Sequence, residues 1–179
     1  SNVIIVTKKG KCICFSEEDV RPMGRAAGGV RAITLDRNDE VVAMELAEKD
    51  EELLVVTHGG YGKRTAVKEY KIQARGGKGL LTYDKTKFGK TGELIGAMVV
   101  NEDDDVFLIN SDGIIIRINA GEVSRLGRTT QGVRIMRVQE ESNIVTMAKA
   151  IREEEIEDEQ SDSEEQNGSK EDQLSLDTN

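Results

Sequence analysis

The feature that most constrains this chain is a threefold internal repeat with a period near 50 residues. Its clearest marker is residues 73–79, Gln-Ala-Arg-Gly-Gly-Lys-Gly, which place two cations around a glycine pair. Similar loops surround Gly29 and Gly132. When the second glycine of each loop is aligned, Gly29 precedes Gly77 by 48 residues and Gly132 follows it by 55. A repeat of this length indicates one supersecondary unit stacked three times.

Short apolar runs recur around each of these loops. Each repeat opens with an apolar run that ends in a turn, and it closes with a second apolar run. Several short strands in a unit of about 50 residues favour a propeller blade over a helical solenoid. We therefore predict an all-β, propeller-like fold of about three four-stranded blades at residues 3–50, 51–104 and 105–152. The opening runs are residues 4–10, 54–59 and 107–113, and the closing runs are residues 41–44, 94–98 and 144–147.

The first repeat shows the four strands that we expect in each blade. Residues 3–6 and 11–15 predict a hairpin, because Gly10 in the turn adopts a positive φ at little cost. Residues 30–35 alternate between apolar and polar side chains and predict a third strand, and residues 41–46 predict a fourth.

Few residues of the chain suit catalysis. Cys12 and Cys14 lie two apart in a predicted strand, so we expect both on one face as small buried side chains. The single histidine, His58, falls in a predicted turn of another repeat, which leaves no cluster of metal ligands in the sequence. We predict no catalytic residue and no metal site, and two cysteines without a signal peptide fit a reducing cytoplasm.

The net charge of −9 averages two unlike segments. Residues 153–179 contain 12 acidic residues and one basic residue, a net of −11, whereas the rest of the chain carries +2. This acidic tail lacks apolar periodicity, so we predict that it is disordered. We interpret Ser1 and Asn2 as a cloning scar and the chain as a piece of a longer protein. No apolar run approaches the ~20 residues of a membrane span, so we expect no membrane partner and a cytoplasmic location.

Basic residues cluster in the second repeat. Residues 62–92 contain nine Lys or Arg and two acidic residues, a net of +7. Such density on loops and strand ends is typical of a surface that follows phosphates, and glycines allow main-chain N–H groups to join the contact. The alternative is that the glycines only form turns and the lysines only keep the chain soluble. Our candidate contacts are Lys63, Arg64, Lys71, Gln73, Arg75, Gly76, Gly77, Lys78 and Gly79, with Arg25, Arg31, Arg128 and Arg134 from the flanking repeats.

These residues resemble a known family. Residues 73–79 are similar to the gyrase-A box, and residues 3–152 resemble the C-terminal domain of the A subunit of bacterial DNA gyrase. The resemblance implies a β-pinwheel, a six-bladed disc whose basic rim wraps double-stranded DNA. In that family the wrap presents a positive crossover to the catalytic core, so that ATP-driven strand passage introduces negative supercoils, and the resemblance implies the same role here.

The chain departs from the family pattern in two respects. The full box reads Gln-Arg-Arg-Gly-Gly-Lys-Gly, so Ala74 replaces an arginine, and the principal box usually lies in the first blade. Three repeats before an acidic tail look like the last half of the disc. The resemblance implies the rest of the gyrase A subunit, together with the gyrase B subunit, as partners. It implies no cofactor for this fragment, and ATP and Mg²⁺ only for the whole enzyme.

Two other interpretations stay open on the sequence. One is a propeller-type protein-interaction module that uses its basic strips for solubility or for an acidic partner. The other is the C-terminal domain of the topoisomerase IV C subunit, which is similar but lacks a well-formed box. We also expect the acidic tail to compete with DNA for the basic rim, against the alternative that it has no effect.

Overall fold

The computed structural model describes residues 1–150, which form three antiparallel β-sheets. The all-β, propeller-like prediction is therefore confirmed. The predicted disorder of the acidic tail falls on residues 153–179, which lie outside the described residues. The strands are β1 (Asn2–Thr7), β2 (Lys11–Ser16), β3 (Val41–Ala47), β4 (Glu52–Thr57), β5 (Tyr61–Ala66), β6 (Leu80–Leu81), β7 (Leu94–Val100), β8 (Asp105–Asn110), β9 (Ile115–Asn119), β10 (Val133–Arg134) and β11 (Ile144–Lys149). A short helix, α1 (Phe88–Thr91), precedes β7.

Each sheet is built on the same plan. A hairpin forms from β1 and β2, from β4 and β5, or from β8 and β9, and its first strand pairs on the other side with β3, β7 or β11. The hairpin turns contain Gly10, Gly60 and Gly113 at φ values of 83°, 87° and 79°, a region that favours glycine. The predicted hairpin at residues 3–15 and the strand at 41–46 are confirmed.

The fourth strand of a sheet comes from the following repeat. In the first sheet β6 pairs with β2, with Leu80 opposite Cys12, and in the second sheet β10 pairs with β5, with Val133 opposite Gly62. The sheets therefore do not coincide with the sequence repeats, because the box loop of one repeat supplies the fourth strand of the preceding sheet. The third sheet contains three strands within the described residues.

The strand predicted at residues 30–35 is wrong. Its counterparts β6 and β10 are strands because each pairs with the hairpin of the preceding sheet, and within residues 1–150 no sheet precedes the first one. The segment runs beside the next loop instead, where Thr34 N donates to Gly77 O at 2.9 Å. Ala32 and Ile33 pack on the buried Ile5 and Phe15 of their own sheet.

The structure also corrects the alignment of the three loops. Gly29, Gly79 and Gly132 are the true counterparts, each 19 residues after the glycine of its own hairpin, with φ values of 74°, 74° and 79°. The shift of two residues makes Arg25, Arg75 and Arg128 equivalent. The repeat length is then 50 residues from the first to the second unit and 53 from the second to the third.

The cores lie between neighbouring sheets. Leu53 and Val55 of β4 share one buried cluster with Ile4 and Val6 of the first sheet. Leu54 of β4 shares the other cluster with residues of the third sheet. Because strand side chains alternate, the second sheet is apolar on both faces and is packed on both.

Two minor predictions concern single side chains. Cys12 and Cys14 are buried, unpaired and part of the same core cluster, as predicted, and burial raises the pKa of each thiol. His58 lies half-buried in the turn between β4 and β5, which confirms its position. Among residues 1–150 no helix is long and apolar enough to cross a membrane.

Candidate nucleic-acid interface

Three box loops, at residues 24–34, 74–84 and 127–137, are hydrogen-bonded to one another in chain order. We call them loops 1, 2 and 3. Between loops 1 and 2, Gly76 N donates to Ala32 O at 2.8 Å, beside the bond from Thr34 to Gly77. Between loops 2 and 3, Asp84 N donates to Thr130 O at 3.2 Å. Backbone bonds join the loops at both junctions, so the loops form one continuous row.

Two arginine side chains also connect the loops of this row by hydrogen bonds. Arg75 Nη1 in loop 2 donates to Arg31 O in loop 1 at 2.5 Å, and Arg75 Nε donates to Asp19 O at 3.2 Å. At the next junction Arg128 Nη1 donates to Leu81 O at 2.8 Å. Both arginines are half-buried and hold neighbouring loops together. Arg25, their counterpart in loop 1, is exposed.

Lys63 lies inside the protein, which corrects its predicted place on the DNA-contact surface. Its side chain is fully buried. The Nζ atom donates to Gly127 O at 2.8 Å, to Arg128 O at 2.6 Å and to Thr130 Oγ1 at 3.1 Å. These bonds fix the backbone of loop 3, and burial lowers the pKa of Lys63 to about 7.

Arg64 is corrected in the same way. It is 5% exposed, and its guanidinium is ion-paired with the buried Glu52. Arg64 Nε also donates to Val123 O at 2.8 Å, so the side chain ties the second sheet to the third repeat. A buried guanidinium that is already ion-paired and hydrogen-bonded within the protein is not available to bind a DNA phosphate.

For Lys63 the sequence offers a hint of its inward position, whereas for Arg64 it offers none. Lys63 takes the position of Ile13 and Ile116 in the other hairpins, counted from the turn glycine, and both of those face a core cluster. An amine on a strand position that is apolar in two of three repeats is therefore expected to point inward. Local charge density alone could not reveal this.

The remaining candidate cations lie at the surface. Arg25 and Arg31 in loop 1 are exposed, as is Lys78 in loop 2. Lys71, on the approach to loop 2, is exposed too. In loop 3, Arg134 is exposed. The row therefore presents cations from all three repeats, and the buried Lys63 supports loop 3 from beneath.

A three-residue insertion in the second repeat adds cations that the sequence prediction left out of the site. From the box glycine to the return strand there are 12 residues in the first and third repeats but 15 in the second. The added length forms a short helical segment in which Phe88 stacks on Tyr83 at 5.4 Å. The segment displays Lys85, Lys87 and Lys90, all exposed.

Tyr61 joins this insertion to loop 3. Arg134 Nη2 donates to the Tyr61 hydroxyl at 3.0 Å, and its guanidinium lies 5.3 Å from the ring centroid. Lys90 Nζ lies 5.8 Å from the same centroid. The bond from Arg134 lowers the pKa of Tyr61. An aromatic ring thus holds two exposed cations close together.

The remaining predicted residues of loop 2 divide by role. A Cβ on Gly79 would lie 2.6 Å from Cys12 O, so this glycine allows the close packing of loop 2. Gly76 has φ 86° and allows the turn. Gly77 is exposed, so its backbone lies at the surface beside Lys78. Gln73 is half-buried, and its N–H donates to Cys14 O at 2.8 Å.

The family model for the DNA gyrase C-terminal domain, beta-propeller, matches this chain three times, at residues 1–48, 51–101 and 104–150. The chain belongs to the DNA gyrase C-terminal domain family. The three matched segments follow the three repeats, so the resemblance indicated by the box is confirmed across all three of them.

Two similar curated proteins are DNA gyrase A subunits. The chain is 40% identical over 158 residues to the DNA gyrase A subunit of Mycolicibacterium smegmatis, and the match covers 86% of this chain and 18% of the relative. It is also 40% identical over 164 residues to the DNA gyrase A subunit of Staphylococcus aureus, where the match covers 89% of this chain and 18% of the relative. The chain thus spans less than a fifth of the length of these curated relatives.

Solved structures agree on the fold. The structure of a DNA gyrase A C-terminal domain matches with a TM-score of 0.77 at 31% identity, covering 84% of this chain and 50% of that one. The C-terminal domain of DNA topoisomerase IV matches with a TM-score of 0.78 at 23% identity, which shows a common fold alone. Family and relatives therefore favour gyrase over topoisomerase IV.

Proposed function

We propose that this gyrase domain binds double-stranded DNA along the row of box loops and bends it, as part of the gyrase A subunit. The observation that carries the proposal is the continuous row itself. Loops from three successive repeats are hydrogen-bonded together, and each displays exposed Arg or Lys. A duplex that follows the row would meet cations from every repeat in turn.

The binding energy in this proposal is mainly electrostatic. Each cation that neutralises a phosphate releases condensed counterions, so affinity falls steeply with salt. Bending a site of 20–30 bp costs about 1–6 kcal/mol, which several such contacts can offset. The contacts reach phosphates, and loops 1 to 3 expose no aromatic side chain to bases, so we expect little sequence preference.

Rigidity of the row matters to this function. The bonds from Lys63, Arg75 and Arg128 to loop carbonyls fix the backbone that displays the exposed cations. A preordered surface loses less conformational entropy on binding than flexible lysine-rich loops would. The wrapped duplex would serve the supercoiling reaction of a gyrase that also contains its B subunit, ATP and Mg²⁺, in the cytoplasm of a bacterium.

A salt series tests the proposal. Duplex DNA of random sequence is titrated with the domain and with the double variant Arg31→Ala, Lys78→Ala at several salt concentrations. Both side chains are exposed on the row, so the variant should bind more weakly. The salt slope, which is the slope of log affinity against log salt concentration, should become shallower by about two. Lys49→Ala removes an exposed lysine from the acidic turn at residues 48–51 and is the matched control, which should bind as the parent does.

The same substitutions in a complete gyrase test the proposed role in supercoiling. The double variant should introduce fewer negative supercoils per ATP hydrolysed, while DNA relaxation without ATP is retained. A parental salt slope in the double variant, or an equal effect of Lys49→Ala, would contradict the assignment of the row as the DNA surface.

A further inference from the structure

Lys63 makes as many hydrogen bonds as an ammonium group has donors. Its side chain is fully buried, and its Nζ atom donates to Gly127 O, Arg128 O and Thr130 Oγ1. An ammonium has three N–H donors and no acceptor, so all three are used within loop 3. A neutral amine has only two N–H donors, and Thr130 Oγ1 already donates its own proton to Gly127 O at 2.8 Å. Loss of a proton from Lys63 therefore removes one bond that holds loop 3.

Lys63 also differs from the buried cation next to it on β5. Arg64 is ion-paired with the buried carboxylate of Glu52. The hydrogen-bond partners of Lys63 are all uncharged, and it forms no ion pair with any residue in the range 1–150. Burial of a cation without a counter-ion favours its neutral form. An anion brought close to Lys63 would favour the ammonium form again.

The charged groups that face Lys63 do not offset its burial. Burial lowers the pKa of Lys63 to about 7, and the carboxylates of Glu69, in the turn after β5, and of Asp84, at the end of loop 2, act in the opposite direction. The Arg128 guanidinium in loop 3 adds to the lowering. The ring centre of Tyr83 lies 5.5 Å from Nζ, and burial raises the pKa of its hydroxyl, so this neighbour carries no charge near neutral pH. Two carboxylates thus oppose the effect of burial without cancelling it.

Loop 3 is the layer between Lys63 and the proposed DNA surface. The carbonyls of Gly127 and Arg128 bond to the amine, while Gly127 and Thr129 are exposed to solvent. One layer of peptide backbone therefore covers Nζ at this point, and the same loop displays the exposed Arg134. Charges that act on each other through the protein interior are screened less than charges in water. A phosphate bound on loop 3 would therefore act on the amine beneath it.

We propose that Lys63 couples proton binding to DNA binding: its ammonium form holds loop 3 in the shape that binds a duplex, and a phosphate on loop 3 favours that form in return. The inference rests on the proposed function of the row. The proton comes from the acid form of the buffer and adds to the lone pair of Nζ. Lys63 is a positioning residue in this proposal, because loop 3 lies between its amine and the DNA.

The direction of the pH effect follows from this coupling. In the free domain Lys63 is protonated below a pH of about 7 and neutral above it. Bound DNA raises the pKa of Lys63, so above this pH the complex holds a proton that the free domain lacks. Coupling of this kind is reciprocal. The contribution of Lys63 to DNA affinity should therefore be constant below a pH of about 7 and fall above it, by at most about tenfold per pH unit.

Calorimetric titration of a random-sequence duplex into the domain, about one pH unit above the pKa of free Lys63, tests the proposal. Two buffers of different ionisation enthalpy give the number of protons taken up on binding. The parent should take up more protons than Lys63→Met, by roughly one-half to one. Lys78→Ala, which removes an exposed cation from loop 2, is the matched control. It should make the salt slope shallower by about one and keep the parental proton uptake.

NMR of the parent domain gives a second readout that needs no variant, and it decides the matter if circular dichroism shows Lys63→Met to be unfolded. With the lysines labelled at Cε, one resonance should titrate near 7 instead of near the ordinary value of about 10.4. Saturating duplex should move that midpoint upward by at least about one pH unit.

The same samples separate this inference from the proposed function. Equal proton uptake by the parent and Lys63→Met, no resonance that titrates near 7, or a midpoint that duplex leaves unchanged would overturn the coupling. If the salt slope is retained in those samples, the row still binds DNA and only the role of Lys63 is wrong. A domain that does not bind duplex at low salt would overturn both proposals.

Discussion

The second and third hairpins have the same strand pairing, yet an equivalent ion pair is buried in the second and exposed in the third. In the second, Arg64 is ion-paired with Glu52, and both are about 5% exposed. In the third, the equivalent Arg117 pairs with Asp105 at 2.8 Å, with 59% and 29% of the side chains exposed. The second hairpin is covered by a following repeat, whereas β9 of the third has an open edge within the described residues. The repeat that packs against a hairpin, rather than the local sequence, therefore decides whether an equivalent ion pair is buried or exposed.

The largest expected effect tests this difference in burial. Arg64→Ala leaves Glu52 buried with fewer partners and removes a bond to Val123 O, so it should lower the free energy of unfolding by about 3 kcal/mol. Arg117→Ala should cost less than about 1 kcal/mol, because its pair is solvent-exposed. Urea denaturation of both variants measures the two values, and equal values would mean that burial does not distinguish the hairpins.

A second prediction compares loop 2 with loop 1. Gly79→Ala and Gly29→Ala both place a side chain at φ 74°, which costs on the order of 1 kcal/mol of strain. Only at Gly79 would the new Cβ also lie 2.6 Å from a backbone oxygen. Gly79→Ala should therefore be the more destabilising by roughly 2 kcal/mol. Thermal or urea unfolding in dilute solution provides the check, and a smaller loss at Gly79 would contradict the close packing of this joint.

A third prediction uses pH to compare Lys63 with its apolar counterparts. Burial lowers the pKa of Lys63 from 10.5 to about 7, so between these values the unfolded chain binds a proton that the folded chain has released. The free energy of unfolding should therefore rise with pH through this window, by at most about 1.4 kcal/mol per unit, and this contribution should be flat below it.

The Lys63→Met variant isolates that contribution. The methionine resembles the isoleucine found at this position in the other two hairpins and cannot titrate. Urea midpoints are compared near the lower and upper ends of the window for parent and variant. The parent should gain stability relative to Lys63→Met as pH rises, and an unchanged difference would show that Lys63 stays charged when buried.

The smallest effect separates arginines that are equivalent in the repeat. Arg75→Gln loses the bonds to Arg31 O and Asp19 O and should destabilise the fold by about 1 kcal/mol. Arg25→Gln should leave stability unchanged within about 0.5 kcal/mol and reduce only the salt slope of DNA binding, by about one. Calorimetry and the salt series together give both quantities. A stability loss at Arg25 equal to that at Arg75 would mean that loop 1 is held by contacts like those of loop 2.

Much of the fold could be predicted from the sequence, because hairpins and short strands are local. Gly10, Gly60 and Gly113 mark turns between apolar runs, and those hairpins formed as expected. The box at residues 73–79 was enough to indicate the family. The alignment of the loops was two residues off, because glycine pairs were matched without using the constant 19-residue distance from each hairpin turn.

The candidate site was less predictable, since it depends on which surfaces meet. The sequence determined that three cation-bearing loops exist and that each follows a hairpin at a fixed distance. Only the tertiary structure decided that residues 30–35 would not form a strand, that Lys63 and Arg64 would lie inside, and that Arg75 and Arg128 would bond to neighbouring loops. The physical reason is that a short strand forms where a neighbouring sheet pairs with it, and a charged side chain is buried where a neighbouring sheet covers it. In both cases that sheet belongs to a different repeat.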